Sequence, residues 1–289
     1  MDRTKIVACL SGLVLLVSCG KPPRLVVGSK NFTEQVVLGE ILAQQIERRL
    51  HVEVVRRLNL GGTLLAHEAL VQGSIDLYPE YTGTALTAVL KKAPVTDPDT
   101  VLSSVRADYA LKWKLVWLAP FGFNDTFAMI VRGDLARGRK LTTLSEAAAS
   151  GAWKLGVGYE FQQRPDGLKG LVDTYGLKLS SDPVTMDLGL LYQALDSKKV
   201  DMIAANSTDG PASVLDVKVL EDDKHYFPPY DCAVVIREDT LGRYPGLREA
   251  LESLSGKITA ETMRKLNQQV DGSKRPAAQV AAEFLATIQ

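Results

Sequence analysis

Cysteine is scarce in this chain: Cys9, Cys19 and Cys232 are the only three among 289 residues. That excludes a disulfide-stapled scaffold. With no paired-cysteine spacing and no His-Glu-x-x-His, there is no recognisable zinc motif, and His51, His67 and His225 are scattered singly. No Gly-x-Ser-x-Gly elbow occurs, and no strand signal runs into a phosphate-cradling glycine loop, so no metal and no cofactor are expected. An excess of charge of one sign is missing too. Lys plus Arg number 34 and Asp plus Glu number 34, which leaves no electrostatic footprint for nucleic acid. After residue 18 no apolar run approaches the roughly 20 residues that a spanning helix needs.

What is present starts at the amino end. Arg3 and Lys5 precede the apolar run Ile6 to Ser18, which closes on Leu16-Val17-Ser18-Cys19. The run is too short to cross a bilayer, and a basic start, a greasy centre and small residues before a cysteine resemble a bacterial lipoprotein signal. The resemblance implies a signal over 1–18, cleavage before Cys19, acylation of its sulfur and a lipidated tether over 19–23. Acyl chains anchor a protein by burying methylenes, at roughly 0.8 kcal/mol each. An ordinary secretory peptide is the alternative and leads to the same side of the membrane, periplasm or cell surface. Without residues 1–18 the chain carries 32 basic and 33 acidic side chains. Cys232 is then its one unmodified cysteine. Lying in Cys232-Ala233-Val234-Val235-Ile236, it reads as a buried strand thiol.

Strand and helix signals alternate from Leu25 onward. Leu25 to Gly28 reads as a strand, Thr33 as the cap of a helix reaching about Leu50, and His51 to Leu58 as a second strand. Gly61-Gly62-Thr63 is a turn and cap before a helix over Leu64 to Gln72, and a third strand starts at Ile75. The scheme recurs at Lys154 to Gly158, Gly167 to Tyr175, Pro183 to Met186 and Gly189 to Lys198. Such alternation implies a parallel sheet covered on both faces. At one place the recurrence is close. Ala69-Leu70 lies seven residues before Asp76, Ala194-Leu195 seven before Asp201, and in step Tyr81 matches Asn206 and Thr84 matches Asp209. Two similar lobes are expected: the first over 24–122 and 231–289, the second over 123–230. Leu115 to Asp125 and Phe227 to Ile236 are expected as the crossovers. Ligands of open parallel sheets bind beyond the carboxyl ends of the strands, where the segments after Tyr78 and Asn206 lie.

Five stretches run in order across nearly the whole mature chain: Gly28-Ser29-Lys30-Asn31-Phe32-Thr33-Glu34-Gln35, Asp76-Leu77-Tyr78-Pro79-Glu80-Tyr81-Thr82-Gly83-Thr84, Phe121-Gly122-Phe123-Asn124-Asp125-Thr126-Phe127-Ala128, Ser207-Thr208-Asp209-Gly210 and Phe227-Pro228-Pro229-Tyr230-Asp231. In them the chain resembles substrate-binding proteins of ABC importers for glycine betaine, choline and related solutes. The resemblance implies a two-lobed α/β fold of the type II periplasmic-binding-protein class and a monomer that is not an enzyme. It also implies a separate permease and ATPase as partners. A trimethylammonium head has charge but no N–H, so aromatic faces serve it, at roughly 0.5–2 kcal/mol per well-placed ring. A carboxylate tail needs cations and hydroxyls. By the resemblance Tyr81, Phe127 and Tyr230 form the cage with Asp125 beside it, and Lys30, Thr84 and Arg164 meet the carboxylate. Asn206 stands where relatives usually carry tyrosine, and Phe127 where many do. A three-sided cage follows, suited to glycine betaine, choline or carnitine, or to a larger betaine such as ergothioneine. Two other classes stay open: a module presenting ligand to a receptor, and an extracytoplasmic hydrolase or transferase using Asp76, Asp201 and Asp209.

Overall fold

Short β-branched and aromatic runs form the strands. The computed structural model describes residues 24–288; the expected signal 1–18 and tether 19–23, with Cys19, lie outside the described residues. The strands are β1 (Leu25–Gly28), β2 (Val54–Arg57), β3 (Leu77–Tyr81), β4 (Leu115–Trp117), β5 (Phe127–Arg132) and β6 (Ala152–Trp153). They continue with β7 (Leu155–Val157), β8 (Lys178–Leu179), β9 (Val184–Thr185), β10 (Met202–Asn206), β11 (Val217–Val219) and β12 (Cys232–Arg237).

Two five-stranded sheets result, ordered β2-β1-β3-β12-β4 and β11-β5-β10-β7-β9, with β6 and β8 paired separately. Read from its other edge, the second order repeats the first strand for strand. Each sheet contains one reversed strand: β12 runs against β3 and β4, and β5 against β10 and β11. The other pairings are parallel. In both sheets the reversed strand is the first one laid down after the chain crosses over. The architecture is therefore the expected two-lobed α/β fold, with mostly parallel sheets and helices around them. β3 and β10 occupy matching places, ending at Tyr81 and Asn206. Even a backbone bond recurs, Asp76 N–H to the Val26 carbonyl (2.8 Å) and Asp201 N–H to that of Lys154 (2.7 Å).

Two expectations need correction. Leu115–Trp117 and Cys232–Arg237 are strands of the first sheet, because both runs are apolar enough to be buried there. The chain crosses instead over 118–126 and 220–231. Thr33 does not cap the first helix, α1 (Thr33–Leu50), but is its first residue; Phe32 flanks it, and the Thr33 hydroxyl donates to Asp271 Oδ1 at 2.6 Å.

Packing follows the alternation of strand side chains. Leu77 and Val234 join the core under α1, with Val37, Leu38, Ile41 and Leu42. Their neighbours Tyr78 and Val235 join the opposite core. There α2 (Thr63–Val71) and the helix Pro98–Trp113 contribute Ala66, Leu70, Val101 and Tyr109. Cys232 is fully buried, as expected, and burial pushes its thiol well up. Ile41 is fully buried, so Ile41→Ala should cost about 2–5 kcal/mol in a denaturant melt. A cost below about 1 kcal/mol would show that α1 is not part of the first lobe's core.

Candidate functional site

The site is built by the register of the reversed strands. Tyr81 pairs with Cys232 at the carboxyl end of β3, and Asn206 pairs with Phe127 at the carboxyl end of β10. The segments entering β12 and β5 therefore arrive at the two sheet edges that face each other. Between them lies a cavity of about 300 Å³. Lys30, Tyr81, Thr84, Asp125, Phe127, Arg164, Asn206 and Tyr230 all line it, together with Phe32, Thr63, Glu160, Phe161 and Leu188. Every residue singled out for ligand contact is thus brought to one place.

The rings are close-packed. Phe127 meets Tyr230 edge-on (centroids 5.6 Å apart) and Phe161 at 4.8 Å, while Tyr81 stacks near Phe32 at 6.2 Å. Two buried cations rest on them. The Arg164 guanidinium lies 5.0 Å from the Phe127 centroid and 5.7 Å from that of Tyr230, and Lys30 Nζ lies 5.0 Å from that of Tyr81. Each cation has a carboxylate partner that sequence reasoning missed. Lys30 Nζ is 2.5 Å from Glu80 Oε1, and Arg164 grips Asp166 with two bonds of 2.9 and 2.5 Å. Glu80 also accepts from the Tyr78 hydroxyl and the Tyr81 backbone N–H, and Asp166 from the Tyr230 hydroxyl at 2.6 Å. Burial opposes the charge on Asp166, but the Arg164 pair outweighs it and holds this carboxyl below the ordinary range.

The two lobes are fastened around the cavity. Glu160 accepts from the Thr63 backbone N–H and from its hydroxyl, at 2.9 Å for the latter. It thereby supplies from the second lobe the cap that α2 lacks locally. A Cβ on Gly62 would meet the Glu160 carboxylate, which would have to shift from its present position on Thr63. Arg164 Nη1 donates to Thr84 Oγ1 at 3.1 Å across the same gap. Behind Tyr81, Glu34 accepts from Thr208 Oγ1 at 2.5 Å, and Asn267 Nδ2 donates to the Thr208 carbonyl at 2.9 Å.

Asp125 accepts from the Thr208 N–H (3.2 Å) and the Ser207 hydroxyl (3.4 Å), and burial pushes it up to about 6. Asp209 is pushed up to about 7, first by burial and then by Asp125. It holds the Asn206 N–H at 3.0 Å. The hydrolase set does not assemble. Asp76 sits before β3, occupied by the Val26 N–H, Thr240 and Arg243; Asp201 sits before β10, near Arg132. Both lie at the amino ends of those strands, away from the cavity, and only Asp209 is near it.

Over residues 23–287 the sequence matches the family described as the substrate binding domain of ABC-type glycine betaine transport system. The chain belongs to that family. It is accordingly a solute-binding protein of the ABC-transporter kind, a class that works outside the cytoplasm and is not enzymatic. It is 36% identical over 263 residues to the ergothioneine transport permease/ergothioneine binding protein EgtU of Helicobacter pylori strain G27, covering 90% of this chain and 47% of that protein, about half its length. To the carnitine transport binding protein OpuCC of Listeria monocytogenes serotype 1/2a strain 10403S it is 32% identical over 300 residues, covering 98% and 96%. The crystal structure of a glycine betaine/carnitine/choline ABC transporter superposes with a TM-score of 0.77 at 31% identity, covering 91% of this chain and 98% of that one.

A Cβ on Gly210 would lie 2.5 Å from the Gln268 backbone nitrogen, on the helix Ala260–Asp271 that packs on the first lobe. Gly210→Ala should therefore wedge the lobes apart and raise the radius of gyration in small-angle scattering. An unchanged radius would show that this contact does not limit closure.

Proposed function

We propose that the cavity captures a trimethylammonium solute bearing a carboxylate and that the closed form delivers it to an ABC permease driven by a separate ATPase. The observation that carries this reading is the convergence of Tyr81, Phe127 and Tyr230 with Lys30, Arg164 and Thr84 on one enclosed space. Ring faces serve the methylated nitrogen, while Arg164 and the Thr84 hydroxyl offer donors to the carboxylate. A quaternary cation placed beside Lys30 and Arg164 would be repelled by bare charges. Glu80 and Asp166 neutralise both, and Asp125, Glu160 and Asp187 on the cavity wall tilt its field toward cations. Ligand contacts drawn from both lobes favour closure, which is the state a permease reads. The protein acts as a monomer, tethered to a membrane by acylated Cys19.

A larger betaine is the second reading, and two observations favour it. Asn206 lines the cavity where a ring would narrow it, and the space of about 300 Å³ extends on to Tyr159, Met186 and Leu188. A molecule the size of glycine betaine leaves part of that volume to water. The Helicobacter pylori relative is named for ergothioneine and the Listeria monocytogenes one for carnitine.

Calorimetry with glycine betaine, choline, carnitine and ergothioneine tests both readings; no binding to any of them refutes the proposal. Tyr230→Ala should weaken binding of the preferred ligand at least tenfold, about 1.4 kcal/mol. Tyr230→Phe keeps the ring and should lose less. Arg164→Ala should penalise glycine betaine far more than choline, which has no carboxylate; equal losses would contradict this polarity. Asn206→Tyr should tighten glycine betaine binding and weaken that of ergothioneine, whereas a loss for glycine betaine would mean that Asn206 already serves it.

A further inference from the structure

Glu34 is a buried carboxylate, 3% exposed, that touches both halves of the closed molecule. Its Oε1 accepts from the Tyr81 hydroxyl at 2.7 Å, so it fixes the ring that walls the cavity. Its Oε2 accepts from Thr208 Oγ1, beyond β10, at 2.5 Å and from Asn267 Nδ2 at 3.2 Å. The titratable groups around it are Tyr81 and Cys232 from the first sheet, Asp125 from the crossover, Asp209 from the loop after β10, and Asp271 on the helix Ala260–Asp271. Of the nearby cations, Lys30 is spent on Glu80, and Arg264 donates to the Ser207 carbonyl. Asp125, also buried, lies close enough for its charge to raise Glu34, so two carboxyl groups share one dry space. Such a pair holds one proton and one charge far more readily than two charges.

We propose that Glu34 is a positioning residue that, protonated, locks the Tyr81 ring to the second lobe, and that closure takes this proton from solvent. The proposal rests on the ligand cavity described above. The proton is then shared between Glu34 and Asp125, and the pair carries one charge next to the cage. The Glu34–Asp125 pair thus presents one negative charge rather than two to the ligand's cation. An open form would wet Glu34 and remove the burial that disfavours its charge. In the closed form burial first, and then Asp125, raise it well above the ordinary carboxyl range. A raised carboxyl favours the closed form at low pH, and the advantage fades as pH climbs from the ordinary carboxyl range through the raised values.

The test uses the full chain. Small-angle scattering without ligand should show a more compact particle at pH 5.5 than at pH 8. Calorimetry should show glycine betaine bound about three- to tenfold more weakly at pH 8. Glu34→Gln, uncharged yet still an acceptor for the Tyr81 hydroxyl, should remain compact and lose most of the wild-type pH slope, the rest belonging to Asp125 and Asp209. Glu34→Ala should be open and weak at both pH values. A Glu34→Gln protein that keeps the wild-type pH slope, or a wild type whose compactness ignores pH, overturns the proposal, and neither result depends on Glu34→Ala folding. Scattering that behaves as expected while no quaternary ammonium probe binds upholds Glu34 and instead removes the ligand assignment.

Discussion

The cavity exists because each sheet admits one strand from the wrong direction. A purely parallel lobe would collect its carboxyl ends in one place, but nothing would bring the partner lobe's rings there. The reversed strands β12 and β5 start where β3 and β10 stop, pairing Cys232 with Tyr81 and Phe127 with Asn206. Side chains just before or at the start of the returning strands, Tyr230 and Phe127, therefore join those at the ends of the outgoing ones. A one-residue slip in either pairing would turn a ring from the cavity into the core.

Around this frame, the buried cations of the cavity come in compensated pairs. A lysine or arginine on an aromatic face inside a protein is costly unless its charge is answered. Glu80 and Asp166 answer Lys30 and Arg164, and the same two carboxylates take the hydroxyls of Tyr78 and Tyr230. Cation, ring and carboxylate are thus held as one unit on each side. Such preorganisation spares a ligand the work of ordering the donors that meet it.

Much of this was legible in the sequence, and the parts that were not share a cause. The strand–helix alternation disclosed the two lobes, and the offset that matches Tyr81 with Asn206 is the real equivalence of β3 and β10. The eight candidate residues came from the family resemblance, whose motifs sit where the strands end. Glu80 and Glu34 lie inside those same motifs and Asp166 two residues after Arg164, yet a carboxylate's partner depends on which side chains the fold puts opposite it. Glu34 is 174 positions from Thr208, and Lys30 is 50 from Glu80. Helix caps failed for a related reason. Thr33 and Thr63 look like caps by local rules, but their hydroxyls are claimed by Asp271 and Glu160 from distant segments.

The isolated bridge between Asn124 and Asp231 closes the neck of the second lobe. That lobe leaves and re-enters the first through one doorway, as a guest segment within a host. Swapping the guest between relatives needs only two splice points, and it replaces Phe127, Arg164 and Asn206 together while Tyr81 and Lys30 stay behind. Half of the pocket can thus be exchanged as one piece without touching the other half.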